Sequence, residues 1–386
     1  REFLRKVPQP RHSRVLDLSC MGLWQFPPEV SRLKYLKALM LTGNVIGELS
    51  PDIALLTGLE ELSLADNNLK ALPIELSLLT NLTDLSLLDN ELTSIPPEMS
   101  ALALLRSLHL DNNDLRTPPQ EVVMRGTSEI MSYLRRVLKA RDTRVLELSF
   151  LDLKSFPVEY LGITNVTDLS LSDNQLSTLS AEIGTCGDLK QLWLQNNKLT
   201  TLPPSVRSLT KLVTLCLDNN NFDAVPPMIR YLTAMRNLSM NDNMLDEIPA
   251  ALADLDQLQS LALRGNKLHH FPEVFYRWTA LTELVVSNNR IAELQLQFEV
   301  LSTLQVLNLE GNLLVSPPRE VLQQGTPLTL EYIKRLKNAR ESKVLDLCSF
   351  GLRVLPVEVI KNNSRLRELK LSNNNMKVLP SDIRML

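Results

Sequence analysis

The chain has 386 residues, and its 41 Lys and Arg against 44 Asp and Glu give a net charge of −3. This balance argues against nucleic-acid binding, which needs a clustered excess of cations. No apolar run approaches the roughly 18 residues of a membrane span. The four cysteines lack the spacing of a metal site or a disulfide framework, which favours a reducing, cytoplasmic compartment. Because the chain starts at Arg1 and stops in a repeat-like segment, we expect it to be part of a longer polypeptide.

Leucine recurs every 23 residues through almost the whole chain, in units that read L-x-x-L-x-L-x-x-N-x-L-x-x-L-P. Residues 1–13 are predicted to end a preceding helical insert. Repeats then fill residues 14–118 (five units), 144–317 (eight units) and 343–386 (two units, truncated). The L-x-L alternation predicts a short strand in each unit. Because one unit has too little surface to bury its leucines alone, we expect an α/β repeat solenoid, a curved horseshoe with a parallel sheet on its concave side.

Asparagine occupies the N position in 12 of the 15 units. A polar side chain facing a leucine-lined interior must be hydrogen-bonded, and backbone groups of the turns are the available partners. The exceptions, Met21, Leu151 and Phe350, each fall in the first unit of a block. We predict that an apolar side chain plugs the interior where the asparagine ladder stops.

Two segments interrupt the period, residues 119–143 and residues 318–342, and they are similar to each other. Thr326-Pro327 predicts a helix start, with Thr326 as the N-cap. In the first insert, one helical face that should pack on the solenoid carries Ile130, Leu134, Val137 and Leu138. The basic residues of the inserts could meet acidic protein, lipid headgroups or RNA, but a water-facing side of an amphipathic helix is the favoured interpretation.

These features resemble the Ras-group intracellular leucine-rich-repeat proteins and the repeat region of Roco proteins. The resemblance rests on short L-P-containing repeats over nearly the whole chain. It also rests on a P-x-E-V-V…G-T…Y-L-R pattern that matches Pro119 to Arg135 and Pro318 to Lys334. It implies a leucine-rich-repeat solenoid that acts as a scaffold or adaptor for other proteins, often in small-GTPase signalling.

The sequence predicts no catalytic, cofactor or metal site and no small-molecule substrate. It contains no phosphate-binding glycine loop, and the His269-His270 pair is interpreted as loop surface. Cys216 has no histidine in adjacent repeats to activate it. Glycosylation sequons at Asn81, Asn165, Asn237 and Asn362 are attributed to the Asn-rich repeat, although extracellular ligand sensing stays an alternative.

Residues beside the strand leucines should point out of the concave sheet and contact partner proteins. A first candidate surface centres on a tryptophan, which is a common interface anchor. It comprises Trp193, Gln195, Cys216, Asp218, Asn241, Arg264 and Val285. A second, acidic surface favours a basic partner, unless its residues are simply solvated turns. It comprises Glu60, Glu61, Asp84, His109 and Asp111.

The sequence therefore favours a non-enzymatic protein–protein interaction scaffold, and the resemblance implies one of intracellular small-GTPase signalling. Two further alternatives stay open: a structural subunit of a large multiprotein assembly, and the regulatory repeat arm of a larger Roco-like GTPase or kinase.

Overall fold

The computed structural model describes residues 14–157, 165–362 and 366–385. The chain divides into two compact units, Arg1–Ser170 (unit 1) and Leu171–Leu386 (unit 2). The predicted end of a helical insert at residues 1–13 lies outside the described residues.

The strands of unit 1 are three residues long, and each is centred on a repeat leucine. Strands β1 to β5 pair in chain order, all parallel, and β6 pairs in parallel with β7. The strands are β1 Val15–Asp17, β2 Ala38–Met40, β3 Glu61–Ser63, β4 Asp84–Ser86, β5 Ser107–His109, β6 Val145–Glu147 and β7 Asp168–Ser170.

The strands of unit 2 follow the same rule. Strands β8 to β13 pair in chain order, all parallel, and β14 and β15 form a separate parallel pair. The strands are β8 Gln191–Trp193, β9 Thr214–Cys216, β10 Asn237–Ser239, β11 Ser260–Ala262, β12 Glu283–Val285, β13 Val306–Asn308, β14 Val344–Asp346 and β15 Glu368–Lys370.

The repeat leucines form the core of each unit. Leu62 pairs with Leu85 across β3 and β4, and both side chains are buried, at 1% and 0% exposed. Burying one leucine side chain contributes about 1.5–3 kcal/mol. Every repeat places its leucines in the same position. A single repeat therefore has no core of its own, whereas stacked repeats share a continuous one. The predicted leucine-lined repeat fold is confirmed.

Short 3-10 helices follow the strand in most of the described repeats. They occupy Val30–Arg32, Pro51–Leu55, Ile74–Leu78, Pro97–Ala101, Ala181–Thr185, Pro204–Ser208, Pro227–Tyr231, Ala250–Asp254, Glu273–Arg277, Leu296–Val300 and Ser381–Met385. Many follow the L-P step of the repeat, since proline fixes φ near the value that a helix start requires.

The asparagine ladder joins each repeat to the one before it. Asn220 Nδ2 donates to the carbonyls of Leu217 in its own turn (3.1 Å) and of Leu194 in the preceding repeat (2.9 Å). Its Oδ1 accepts from the Leu199 N–H, also in the preceding repeat (2.9 Å). The predicted pairing of this asparagine with backbone groups is therefore observed, and two of these three bonds depend on the preceding repeat.

This dependence explains why the first repeat of a block carries an apolar residue instead. In a regular repeat the asparagine binds the N–H of the residue 21 positions earlier; for Leu151 that residue is Ile130 in a helix of the insert, and its N–H already donates to the carbonyl of Gly126 (3.1 Å). Leu151 and Phe350 are each 1% exposed, as an interior plug requires. Met21 is 43% exposed, so the prediction of a plug is wrong there. Its backbone N–H, rather than its side chain, meets the ladder by donating to Asn44.

Each insert folds into a short helix followed by a long one. The first insert contains α1 Gln120–Val123 and α2 Thr127–Thr143, and the second contains α3 Arg319–Leu322 and α4 Thr326–Ser342. A further helix, α5 Val357–Asn362, follows β14. The predicted apolar face of α2 is buried at Ile130, Leu134 and Val137. The helical nature of the inserts is confirmed.

Thr326 does not act as the N-cap that the sequence predicts. Gly325 caps α4 and Thr326 is its first residue. The Thr326 hydroxyl instead accepts the N–H of Leu307 in β13 (2.9 Å), and Thr127 accepts the N–H of Leu108 in the same way (2.9 Å). The threonine therefore serves the edge strand of the preceding block, because the insert supplies no strand there.

Candidate binding surfaces

The residues on either side of each central leucine face away from the core, and we call this side of a sheet the strand face. In unit 2, Trp193 of β8 lies next to Cys216 of β9, and Cys216 lies next to Ser239 of β10. Ala262 and Val285 continue the same row on β11 and β12. Adjacent strands are about 4.8 Å apart, so these side chains form one continuous row.

Trp193 borders a shallow depression of about 470 Å³ on this strand face. Trp193 is half-buried, so part of its ring area is available to a partner, whereas Cys216 beside it is 7% exposed. Burial raises the pKa of the Cys216 thiol to about 12. Because the reactive form of cysteine is the thiolate, Cys216 has the character of a structural thiol and not of a nucleophile.

A polar ladder runs along one border of the depression. The Asp218 carboxylate accepts from the Ser239 hydroxyl (2.6 Å) and from the backbone N–H of Asn241 (2.7 Å). The Asn241 Oδ1 in turn accepts the backbone N–H of Arg264 (2.8 Å). These bonds hold Asp218 and Asn241 in place, so a partner meets groups that are already ordered.

Three other predicted residues complete this surface. Arg264 is exposed and makes no ion pair with a described residue. The Gln195 Oε1 atom is buried without a hydrogen-bond partner in the described part of the chain. Val285 is half-buried on β12 and does not line the depression.

The depression also has a border that the sequence argument missed. Gln191, Thr214 and Asn237 precede the central leucines of β8, β9 and β10, and all three line the depression. The Asn237 side chain donates to the Thr214 hydroxyl (3.2 Å). The sequence does indicate this border. Side chains alternate between the two faces of a strand, so the residue before a buried leucine faces the same side as the residue after it.

The acidic residues predicted in unit 1 come together only in part. Glu61, Asp84 and His109 line a depression of about 340 Å³ on its strand face. Glu60 lies outside this depression and pairs with Lys37 (2.5 Å). Asp111 is exposed beyond the end of β5 and does not line the depression either.

Neither surface contains, within the described residues, a cluster of side chains that could ligate a metal ion. The described residues include no group of three or more His, Cys, Asp or Glu side chains that could hold a metal ion. His269 and His270 are both exposed, in agreement with their interpretation as loop surface. No helix within the described ranges is long and apolar enough to cross a membrane.

Several basic residues of the inserts have partners within the chain. The Arg136 guanidinium donates to the carbonyl of Ser149 (3.2 Å), and Arg335 donates to that of Asp346 (3.1 Å). Lys337 forms an ion pair with Glu299 in the 3-10 helix of the preceding repeat. These contacts hold the inserts against the repeats, which favours a structural role for this part of the basic face.

The chain is similar to known repeat proteins. Models of the leucine-rich repeat match residues 57–115, 188–209 and 210–268. A leucine-rich-repeat protein of Leptospira interrogans is 32% identical; the match covers 98% of this chain and 88% of that one, with a TM-score of 0.47. The plant peptide hormone receptor RGFR1, solved in complex with RGF2, is 25% identical over 96% of this chain and 57% of its own, with a TM-score of 0.44. An internalin of Listeria monocytogenes is 20% identical over 90% and 84%, with a TM-score of 0.38. No curated protein matches the sequence.

Proposed function

Because the chain belongs to the leucine-rich-repeat family, we propose that it is a non-enzymatic scaffold that binds another protein on the strand face of unit 2. The observation that carries this proposal is the half-buried Trp193 beside a depression with an ordered polar border. Interfaces gain most of their affinity from a few aromatic and charged residues surrounded by complementary polar groups.

The chemistry of the depression favours a polypeptide partner. Its lining combines aromatic and small apolar side chains with hydroxyl and amide groups, including those of Thr214, Asn237 and Ser260. Hydroxyls and amides both donate and accept hydrogen bonds, so they suit the N–H and C=O groups of a peptide backbone. Trp193 would supply the apolar contact, and the exposed Arg264 would favour an acidic group at the border.

The acidic depression of unit 1 supports a second contact, to a basic segment of a partner. Glu61 and Asp84 are neighbours across β3 and β4, and neither makes an ion pair with a described residue. Two uncompensated carboxylates side by side favour a cation between them.

The proposed setting is the cytoplasm, in small-GTPase signalling. All four cysteines are free thiols, which fits a reducing compartment. The signalling role rests on the resemblance of the repeats and inserts to Ras-group proteins. A place in a large assembly, or as the repeat arm of a Roco-like GTPase or kinase, remains the alternative proposal.

Site-specific photo-crosslinking tests the proposed surface. A photoreactive amino acid replaces Gln191 or Asn237 on the strand face, or the exposed Arg207 in the 3-10 helix Pro204–Ser208 as a control. We expect partner adducts from the two strand-face positions and none from position 207. Equal adducts from all three positions would favour a subunit enclosed on several sides and would refute the proposal.

A tryptophan substitution then tests the anchor. Truncating an anchor residue at an interface costs about 2–4 kcal/mol, so Trp193→Ala should reduce adduct formation at least tenfold. Trp24→Ala is the matched control, because Trp24 is 70% exposed and lies in unit 1. If Trp193→Ala has no more effect than Trp24→Ala, Trp193 is not the anchor.

A further inference from the structure

The last strand before the second insert, β13, has an edge whose hydrogen-bond donors are only partly used. In the preceding repeat, Val286 N–H donates to the carbonyl of Asn308 (2.9 Å) and Asn288 N–H donates to that of Glu310 (2.7 Å). The equivalent donors after β13 belong to Leu309 and Gly311. Among the described residues, neither N–H has an acceptor.

The insert occupies only the first part of this edge. The Thr326 hydroxyl accepts the Leu307 N–H (2.9 Å), and the chain then continues as α4. A groove of about 720 Å³ lies between the turn that follows β13 and the helices α3 and α4. Leu309, Leu313 and Leu322 are among its lining residues.

We propose that this groove binds an extended segment of a partner protein, which takes the position of the missing next strand. The free donors of Leu309 and Gly311 are two residues apart, and the same spacing of donors binds a neighbouring strand in the other repeats. Unpaired N–H groups at a strand edge are a template for the carbonyls of an added chain. This site is separate from the strand-face surface around Trp193.

The exposed apolar residues at the groove indicate which side chains the segment carries. Leu313, which lines the groove, is 67% exposed, and Val315, two residues further on, is 70% exposed. At the equivalent positions before the first insert, the chain has Asp114 and Arg116 instead. Three other lining residues, Arg319, Gln323 and Thr329, are more polar than their equivalents Gln120, Met124 and Ile130. The segment should therefore present an apolar residue to Leu313.

Register and charge specify a second feature of the segment. Residues three positions after the central leucine touch across neighbouring repeats, as Asp218 Oδ2 and Asn241 Nδ2 do at 3.1 Å. Glu310 holds this position after β13 and makes no ion pair with a described residue. A basic side chain in register with Glu310 would lie beside it, and because Leu313 is three residues further on, the apolar residue follows the basic one by three positions. Arg319, on the α3 side of the groove, adds the opposite charge and so disfavours a strongly cationic segment.

One stretch of the chain itself has most of the required features and serves as the probe. Residues 262–268, ALRGNKL, present the carbonyls of Ala262 and Arg264 that accept the N–H groups of Met240 (2.8 Å) and Asp242 (2.7 Å). A Lys267→Leu change in the peptide adds the apolar residue in register with Leu313. A capped peptide of this sequence is added to the full chain. A scrambled peptide of the same composition is the control.

Nuclear magnetic resonance of one backbone amide reports binding directly. Glu310-Gly311 is the only Glu-Gly step in the sequence, so carbonyl-13C glutamate with 15N glycine labels the Gly311 amide alone. We expect its resonance to shift saturably with the probe and not with the scrambled peptide. The Leu313→Asp variant should weaken the binding at least tenfold, while Asp114→Ala, at the equivalent exposed site of the first insert, should leave it unchanged. Exchanging arginine for glutamate in the probe should weaken binding as well.

Three results would overturn the proposal. The Gly311 resonance could stay unchanged at saturating probe, or the Leu313→Asp variant could bind as the parent chain does. Alternatively, the resonance could shift with protein concentration alone and return in Leu313→Asp, which would assign the groove to a second copy of this chain. Because Leu313 is 67% exposed, Leu313→Asp should fold normally, and a circular dichroism spectrum checks this.

Discussion

Replacing Asn220 by alanine tests whether the asparagine ladder joins neighbouring repeats. The Asn220 side chain binds the Leu194 carbonyl (2.9 Å) and the Leu199 N–H (2.9 Å), both in the preceding repeat. Asn220 is 6% exposed, so its removal leaves the Leu199 N–H buried without a partner, while the Leu194 carbonyl keeps its bond from Asn197 Nδ2 (3.1 Å). One unsatisfied buried donor costs about 1–3 kcal/mol, and we expect a loss of that size in the unfolding free energy.

Urea unfolding followed by circular dichroism measures this loss, and hydrogen exchange localises it. Because a repeat contacts mainly its neighbours, amide protection should fall in residues 194–222 and stay unchanged in unit 1. Asn221→Ala is the matched control, because Asn221 is exposed and its side chain bonds to no described residue; we expect a change within about 0.5 kcal/mol. The reasoning is refuted if Asn220→Ala costs no more than Asn221→Ala.

Three further predictions follow from burial and hydrogen bonding. Leu151→Asn should lower the unfolding free energy by about 2–4 kcal/mol in a urea titration, because the buried amide has no preceding repeat to bind; an unchanged midpoint would contradict this. Trp278→Phe should lower the unfolding free energy by about 1–3 kcal/mol in the same assay, because Trp278 is 0% exposed and its indole N–H donates to the Leu252 carbonyl (3.0 Å). A loss no larger than that of an exposed substitution would count against this prediction. At pH 8, iodoacetamide should label the exposed Cys20 about a hundredfold faster than Cys216. Burial raises the pKa of the Cys216 thiol to about 12, so this thiol stays protonated and unreactive. Mass spectrometry of the two labelled peptides measures the ratio, and equal rates would refute the prediction.

The sequence was sufficient for the parts of the fold that depend on local spacing. Leu62 lies at the centre of β3 because the 23-residue period and the L-x-L alternation together specify one strand and its buried face. The ladder followed from a chemical requirement, since a buried amide must find backbone partners. The same reasoning placed Trp193 on the strand face, where its ring is half-buried.

Other features depend on contacts that sequence spacing does not reveal. The Thr326 hydroxyl bonds to Leu307, 19 residues away, because the insert folds back on the strand edge; from sequence alone the same threonine is a plausible helix cap. The acidic residues separate for a similar reason. Glu60 is adjacent to Glu61 in sequence, yet it pairs with Lys37 of the neighbouring repeat, so only Glu61 contributes to the depression.

Each insert replaces a repeat by side-chain groups that bond to the backbone on both sides of it. Toward the preceding block, Thr326 accepts the Leu307 N–H. Toward the following block, the Gln324 side chain donates to the Phe350 carbonyl (2.8 Å), and Arg335 donates to the Asp346 carbonyl (3.1 Å). A regular repeat would make these bonds with its own strand and turn. The replacement is incomplete at the N–H groups of Leu309 and Gly311, because one threonine supplies one acceptor where a strand supplies several. An insert of this kind covers the core but leaves backbone N–H groups of the edge strand free to pair with another chain. Beside the second insert, unlike the first, exposed leucine and valine side chains accompany these N–H groups.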